Sequence, residues 1–166
     1  MGTRGLTGFI VDGTVKMAYQ QFDSYFTGVG MQVLGFCRDV TDWEAVRQQV
    51  RALVVVDESG EPTPEQLVVL NGRWHQHVSS GRDWYAHLRG THGQPGLILA
   101  SGFIADPGER TVYDASEDSW IAYSYVVDLN KNEFRAYRGT LAGPLMGAWA
   151  LASLPTDEDF LALDKD

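Results

Sequence analysis

Thr3 offers the most direct route to catalysis in this sequence. If Met1 and Gly2 were removed, its hydroxyl would lie beside a free amine, and the two groups would serve as nucleophile and base. That arrangement is the chemistry of N-terminal nucleophile hydrolases. Methionine removal normally stops at Gly2, however, and Thr3 and Arg4 also form an ordinary start for a β-strand. Both interpretations stay open.

A loop rich in aromatic and hydroxyl side chains is the strongest candidate for a binding site. It contains, in order, Phe22, Asp23, Ser24, Tyr25, Phe26, Thr27, Gly28, Val29 and Gly30. Loops on a rigid scaffold commonly supply binding groups. We predict that Asp23 is a recognition or acid/base carboxylate, that Tyr19 and Tyr25 face the ligand, and that Ser24 and Thr27 supply hydroxyls. The alternative is an aromatic-anchored connection that packs on the sheet.

Metal and cofactor chemistry is not indicated. His75, His77, His87 and His92 are the only histidines. Residues two apart on a helix point in different directions, so His75 and His77 would not share an ion there. The spacing leaves open whether all four histidines converge. Cys37 is expected to be a buried structural thiol. Signatures of phosphate loops, zinc peptidases, kinases and serine hydrolases are missing, and no cofactor is predicted.

The composition indicates a soluble cytoplasmic protein whose negative charge is concentrated in the C-terminal part of the chain. Its 166 residues carry a net charge of −9, of which −7 falls after Ala100. Negative charge repels phosphate backbones and anionic lipid, so we expect neither nucleic-acid nor membrane binding. A partner with a basic surface is favoured, although acidity can also serve solubility alone. One cysteine fits a reducing compartment, and neither a secretion signal nor a lipidation signal is recognised.

The N-terminal half predicts a hairpin followed by helices. Strand-like residues flank the turn Asp12-Gly13, and the loop 20–30 leads into a helix over 31–38. Two capping boxes, beginning at Thr41 and Thr63, predict further helices. A short helix over 82–89 should end at Gly90. Residues 57–62, between these two helices, are expected to form a surface connection.

Strand patterns return in the C-terminal third. We predict strands at 97–100 and 119–129, and a turn at 130–132 that leads into a strand over 133–138. Strands at both ends with helices between them indicate an α+β fold, with a mostly antiparallel central sheet built from both terminal hairpins and about three covering helices. This order would also suit the layered fold of N-terminal nucleophile hydrolases. Residues 1–155 form one predicted domain, and 156–166 an acidic tail.

Residues near the start of the chain and in its last predicted hairpin resemble those of a known group of proteins. Thr3-Arg4-Gly5, Asp12-Gly13, the run from Phe22 to Tyr25 and the Gly28-Val29-Gly30 pattern resemble the openings of a group of small uncharacterised proteins of phages and actinobacteria. Residues 125–139 are similar to their closing hairpin. Phe26 stands where that group usually has proline. The resemblance implies a phage or actinobacterial setting and carries no activity with it.

Two functional classes follow from the sequence. The first is a phage-encoded or phage-derived factor that binds a host protein without catalysis. It is favoured by the missing catalytic constellation, by the acidic C-terminal third, and by five tryptophans and seven tyrosines that suit interface anchors. The second is an N-terminal nucleophile amidohydrolase that uses Thr3. In both classes, the loop around Asp23 is the expected site.

Overall fold

The computed structural model describes residues 2–74 and 81–164 and confirms the α+β class. The strands are β1 (Gly5–Val11), β2 (Thr14–Gln20), β3 (Val54–Asp57), β4 (Phe103–Asp106), β5 (Tyr123–Asp128), β6 (Glu133–Arg138) and β7 (Leu145–Ala150). The α-helices are α1 (Met31–Asp39), α2 (Trp43–Ala52), α3 (Pro64–Asn71), α4 (Trp84–Leu88), α5 (Pro95–Ser101), α6 (Glu109–Val112) and α7 (Asp157–Leu161).

Both terminal hairpins belong to one five-stranded sheet of order β2-β1-β5-β6-β7. Asp12 and Gly13 have φ angles of 51° and 75°, as the first hairpin turn requires. Asp128 caps the second turn, because its carboxylate accepts hydrogen bonds from the amides of Asn130 and Lys131. The hairpins meet through the parallel pair β1–β5, and the other pairings in this sheet are antiparallel. The central strand, β5, begins at Tyr123, whereas the sequence predicted a strand from residue 119.

A second sheet corrects the prediction for residues 97–100. These residues lie in α5, and a strand follows only at 103–106, where β4 pairs in parallel with β3. Pro95 stands in the first turn of α5, and Gly102 ends it in the left-handed conformation with φ of 77°. These two residues are the usual start and stop signals of a helix. These two signals, and not the apolar residues between them, determine that residues 97–100 are helical. Neither β3 nor β7 was predicted.

The middle helices keep their predicted positions with small shifts at their ends. Thr63 forms the predicted capping box with Gln66. Asp42, and not Thr41, caps α2 by accepting the amide of Ala45. The prediction that Gly90 ends the short helix is wrong, because the chain continues from α4 into a 3₁₀ turn over Arg89–Thr91.

An aromatic core connects the main sheet to the C-terminal segment. Phe26, Phe134 and Phe160 are fully buried, and the rings of Phe26 and Phe160 stack at a centroid separation of 4.6 Å. Phe160 belongs to α7, within the acidic segment expected to be a tail. Arg38 also bonds Asp157 at 2.5 Å. Residues 157–161 are therefore anchored to the core.

The helices are short. The longest among residues 2–74 and 81–164 has ten residues, and none has the length and apolar content needed to cross a bilayer.

Candidate functional site

The predicted binding loop is an ordered element joined to two distant parts of the chain. Asp23 adopts a positive φ of 58°, and its carbonyl accepts the amide of Val29 at 2.7 Å across a π-helical turn over Phe26–Gly30. The Ser24 amide donates to the carbonyl of Thr3 at 3.2 Å. The Ser24 carbonyl accepts a bond from the Tyr125 hydroxyl at 2.7 Å. The loop is thus held against both β5 and the residues before β1.

The predicted site residues of the loop do not share one environment. Asp23, Tyr25 and Thr27 are exposed, whereas Ser24 is fully buried. Phe26 lies in the core, as the aromatic-anchored interpretation expects. Asp23 lines a cavity together with groups from other elements.

That cavity lies between the loop and the segment that begins with α4. It has a volume of about 220 Å³ and is lined by Gln20, Gln21, Phe22, Asp23, Val29, Gln32, Tyr85, Arg89, His92 and Gln94. We call it the amide cleft. Asp23 and Arg89 are exposed at its lining, while Gln20 is only 3% exposed.

The inner part of the amide cleft contains polar groups that lack partners. Within the described part of the chain, the side-chain amide of Gln20 and both ring nitrogens of His92, which line the cleft, are buried without a hydrogen bond. The hydroxyls of Ser24 and Thr7, which are not among the lining groups, are buried without a hydrogen bond as well. Gly5 makes room for this arrangement. A Cβ there would lie 2.6 Å from Ser24 Oγ and 2.7 Å from Gln20 Nε2. Buried polar groups are nearly always hydrogen-bonded, so we expect water or a ligand to complete the bonding of these groups.

His92 is held in its neutral form. Burial lowers its pKa to about 4, and the nearby Arg89 adds to the shift. The rings of Tyr85 and His92 lie 5.1 Å apart at their centroids, with an interplanar angle of 63°. No group of three metal-ligating side chains forms among the residues that the structure covers. His75 and His77 lie outside the described residues.

Tyr19 belongs to a second cavity beside the amide cleft, and its ring lies 6.2 Å from that of Tyr85. This second cavity has a volume of about 410 Å³ and is lined by Arg4, Tyr19, Glu58, Pro107, Arg110, Thr111, Asp114, Asp118, Ser119, Trp120 and Ile121. We call it the Trp120 groove. Burial raises the pKa of Tyr19, and Arg4 opposes that shift. Burial also raises the pKa of Glu58, reinforced by Asp106.

Trp120 is the most exposed aromatic residue lining either cavity. The residue is 72% exposed, and the Arg4 guanidinium lies 4.5 Å from its ring centroid. Thr3 lines an adjoining cavity of about 450 Å³ with Arg4, Trp120 and Ala122. The Trp120 groove therefore continues to the residue predicted as a nucleophile.

Sequence reasoning missed most of these groups. Gln20 and Trp120 were not singled out, and His92 was considered only as a metal ligand. A polar residue at an inward position of a strand is the one signal that could have identified Gln20, because it shares a face with Ala18 and Lys16. Glu58 and Arg89 carry no comparable signal, since their sequence surroundings are those of surface turns.

Comparisons with protein-family models, with curated proteins and with solved structures yield no match to this chain. The chemistry of the two cavities is therefore the basis on which a function can be argued.

Proposed function

We propose that this is a non-catalytic binding protein that engages a host or self protein through the Trp120 groove. The observation that carries the proposal is the 72% exposure of Trp120. An indole in water exposes a large apolar area, and tryptophan is enriched among the residues that dominate binding energy in interfaces. Arg4 holds one side of the ring, which lowers the entropy that Trp120 would lose on binding.

The charges around Trp120 favour a partner with basic side chains. Glu58, Asp114 and Asp118 line the groove, against Arg4 and Arg110. The three carboxylates outnumber the two guanidinium groups, and Arg4 is already engaged with the indole. A lysine or arginine of the partner would find carboxylates beside an exposed ring, and charge complementarity of this kind raises the association rate.

The resemblance to phage and actinobacterial proteins suggests the setting, in which a phage factor binds a protein of its actinobacterial host. The test is affinity capture from actinobacterial lysate with the wild-type chain, Trp120→Ala and Tyr113→Ala. Tyr113 is 43% exposed and lies outside the Trp120 groove, so its variant is the matched control.

We expect one partner to be retained by wild type and Tyr113→Ala and lost by Trp120→Ala. With the purified partner, Asp118→Asn should slow association more than it changes dissociation, and added salt should weaken the difference. Equal recovery by all three proteins, or no partner above background, would contradict the proposal.

A second candidate is an N-terminal nucleophile amidohydrolase with Thr3 as the nucleophile. The observation in its favour is the hydrogen bond from the Ser24 amide to the Thr3 carbonyl, which keeps the loop that contains Asp23 beside Thr3. Intact mass of the natively expressed protein decides whether a chain beginning at Thr3 exists. A chain that keeps Met1 or Gly2 leaves the hydroxyl without the adjacent amine and excludes this candidate.

A further inference from the structure

The amide cleft has the features of a ligand site separate from the Trp120 groove. The two cavities share no lining residue. Gln20 is almost completely buried yet leaves both its amide nitrogen and its amide oxygen without a partner in the described ranges. Both ring nitrogens of His92, which also lines the cleft, are buried without a partner in the described ranges as well. A folded chain keeps such groups unsatisfied only where water or a ligand completes them.

The inner groups select a neutral polar ligand. The Gln20 amide both donates and accepts, and the neutral His92 ring does the same through its two nitrogens. None of the inner groups carries a charge that could compensate an ion. A buried ion without compensation is strongly disfavoured. A carboxamide, with an adjacent donor and acceptor, pairs with Gln20 through two parallel bonds.

The residues at the mouth of the cleft favour a ligand that carries one positive and one negative group. Asp23 and Arg89 are exposed there, one carboxylate and one guanidinium. Together they complement a zwitterion, because the carboxylate binds an ammonium group and the guanidinium binds a carboxylate by two hydrogen bonds. The volume of about 220 Å³ equals that of roughly seven liquid waters, which suits one amino acid.

We propose that the amide cleft binds a free amino acid with a carboxamide side chain, glutamine or asparagine. The carboxamide lies against Gln20 and His92, and the ammonium and carboxylate groups lie at Asp23 and Arg89. The competing explanation is that trapped water occupies the inner part of the cleft. In that case Asp23 and Arg89 would have no role in binding.

Isothermal titration of the full chain with L-glutamine, L-asparagine, L-methionine and L-glutamate tests the proposal. We expect saturable binding of glutamine or asparagine. Methionine, of similar length but without the carboxamide, should bind at least about tenfold more weakly, because buried partners are then left unpaired. Glutamate should be excluded to a similar degree. No heat from any carboxamide amino acid up to about 10 mM, or equal binding of methionine, overturns the proposal.

Variants separate ligand recognition from folding. Gln20→Leu should abolish glutamine binding, while Gln48→Leu on the exposed face of α2 should not. If Gln20→Leu fails to fold, Asp23→Asn and Arg89→Gln serve instead, because both residues are exposed. Each should weaken binding at least about tenfold with an unchanged melting temperature. Undiminished glutamine binding in both Asp23→Asn and Arg89→Gln overturns the proposal. Trp120→Ala, which changes the other cavity, should leave glutamine binding intact.

Discussion

The Tyr125 hydroxyl donates a hydrogen bond of 2.7 Å to the carbonyl oxygen of Ser24, a residue 101 positions earlier in the chain. Both residues are fully buried. Burial raises the pKa of Tyr125, so its hydroxyl stays protonated and remains a donor. A central strand thereby fixes the loop that lines the amide cleft.

Replacing Tyr125 by phenylalanine should release the loop while leaving the sheet in place. The buried Ser24 carbonyl would lose its donor, which costs about 1–3 kcal/mol of unfolding free energy. Hydrogen exchange should accelerate at the Ser24 and Val29 amides more than in β6. Tyr25→Phe, at an exposed position of the same loop, is the control and should change neither quantity.

Gly28 should tolerate no side chain, although its φ angle is not positive. A Cβ there would lie 2.2 Å from the carbonyl oxygen of Asp23, which is backbone and cannot swing away. We expect Gly28→Ala to lower the unfolding free energy by about 2–4 kcal/mol, as a strained core substitution does. Chemical denaturation measures the change.

Gly35 provides the matched comparison for Gly28. It lies inside α1, and nothing is within 4 Å of the position that its Cβ would occupy. Alanine has the higher helix propensity, so Gly35→Ala should raise the unfolding free energy by about 0.5–1 kcal/mol. An unfolding free energy that Gly28→Ala leaves unchanged or raises would contradict the close approach at Gly28.

Phe160 should behave as a core residue in spite of its acidic surroundings. It is fully buried against Phe26, Phe134 and Trp149. Phe160→Ala should cost about 3–5 kcal/mol of unfolding free energy, since it removes a large buried ring. Val68→Ala, at a 75% exposed position, should cost less than about 0.5 kcal/mol. A loss in Phe160→Ala no larger than that in Val68→Ala would mean that α7 does not dock.

Acid should weaken the fold through His92. Its pKa of about 4 lies below the ordinary 6.5, so between these values the unfolded chain binds more protons than the folded one. Stability is therefore lost as the pH falls through that window. Between about pH 7 and about pH 5 the loss from this residue amounts to roughly 2 kcal/mol.

Urea denaturation at both pH values measures that loss. His92→Gln should remove it, and His87→Gln, in the half-exposed last turn of α4, should retain it. An unchanged pH dependence in His92→Gln would contradict the neutral buried state of His92.

Local signals in the sequence were sufficient for much of the fold. Asp12-Gly13 defines a hairpin because few residues adopt two consecutive positive φ angles. Thr63 defines the start of α3 because its hydroxyl and Gln66 satisfy each other's backbone amides. The change of hydrophobic period from strand to helix and back also predicted the α+β class. Each of these signals acts over a few residues.

Tertiary structure decided what depends on contacts between distant residues. The parallel pairing of β1 with β5, the docking of Phe160, and the meeting of Gln20 with His92 join segments far apart in the chain. Composition predicted that residues 156–166 form a tail, yet the Phe160 ring is buried in the core while its neighbours Asp157, Glu158 and Asp159 remain exposed. Sequence alone also cannot show that Gln20 lacks a partner, because hydrogen-bond satisfaction depends on which groups the fold brings within about 3 Å.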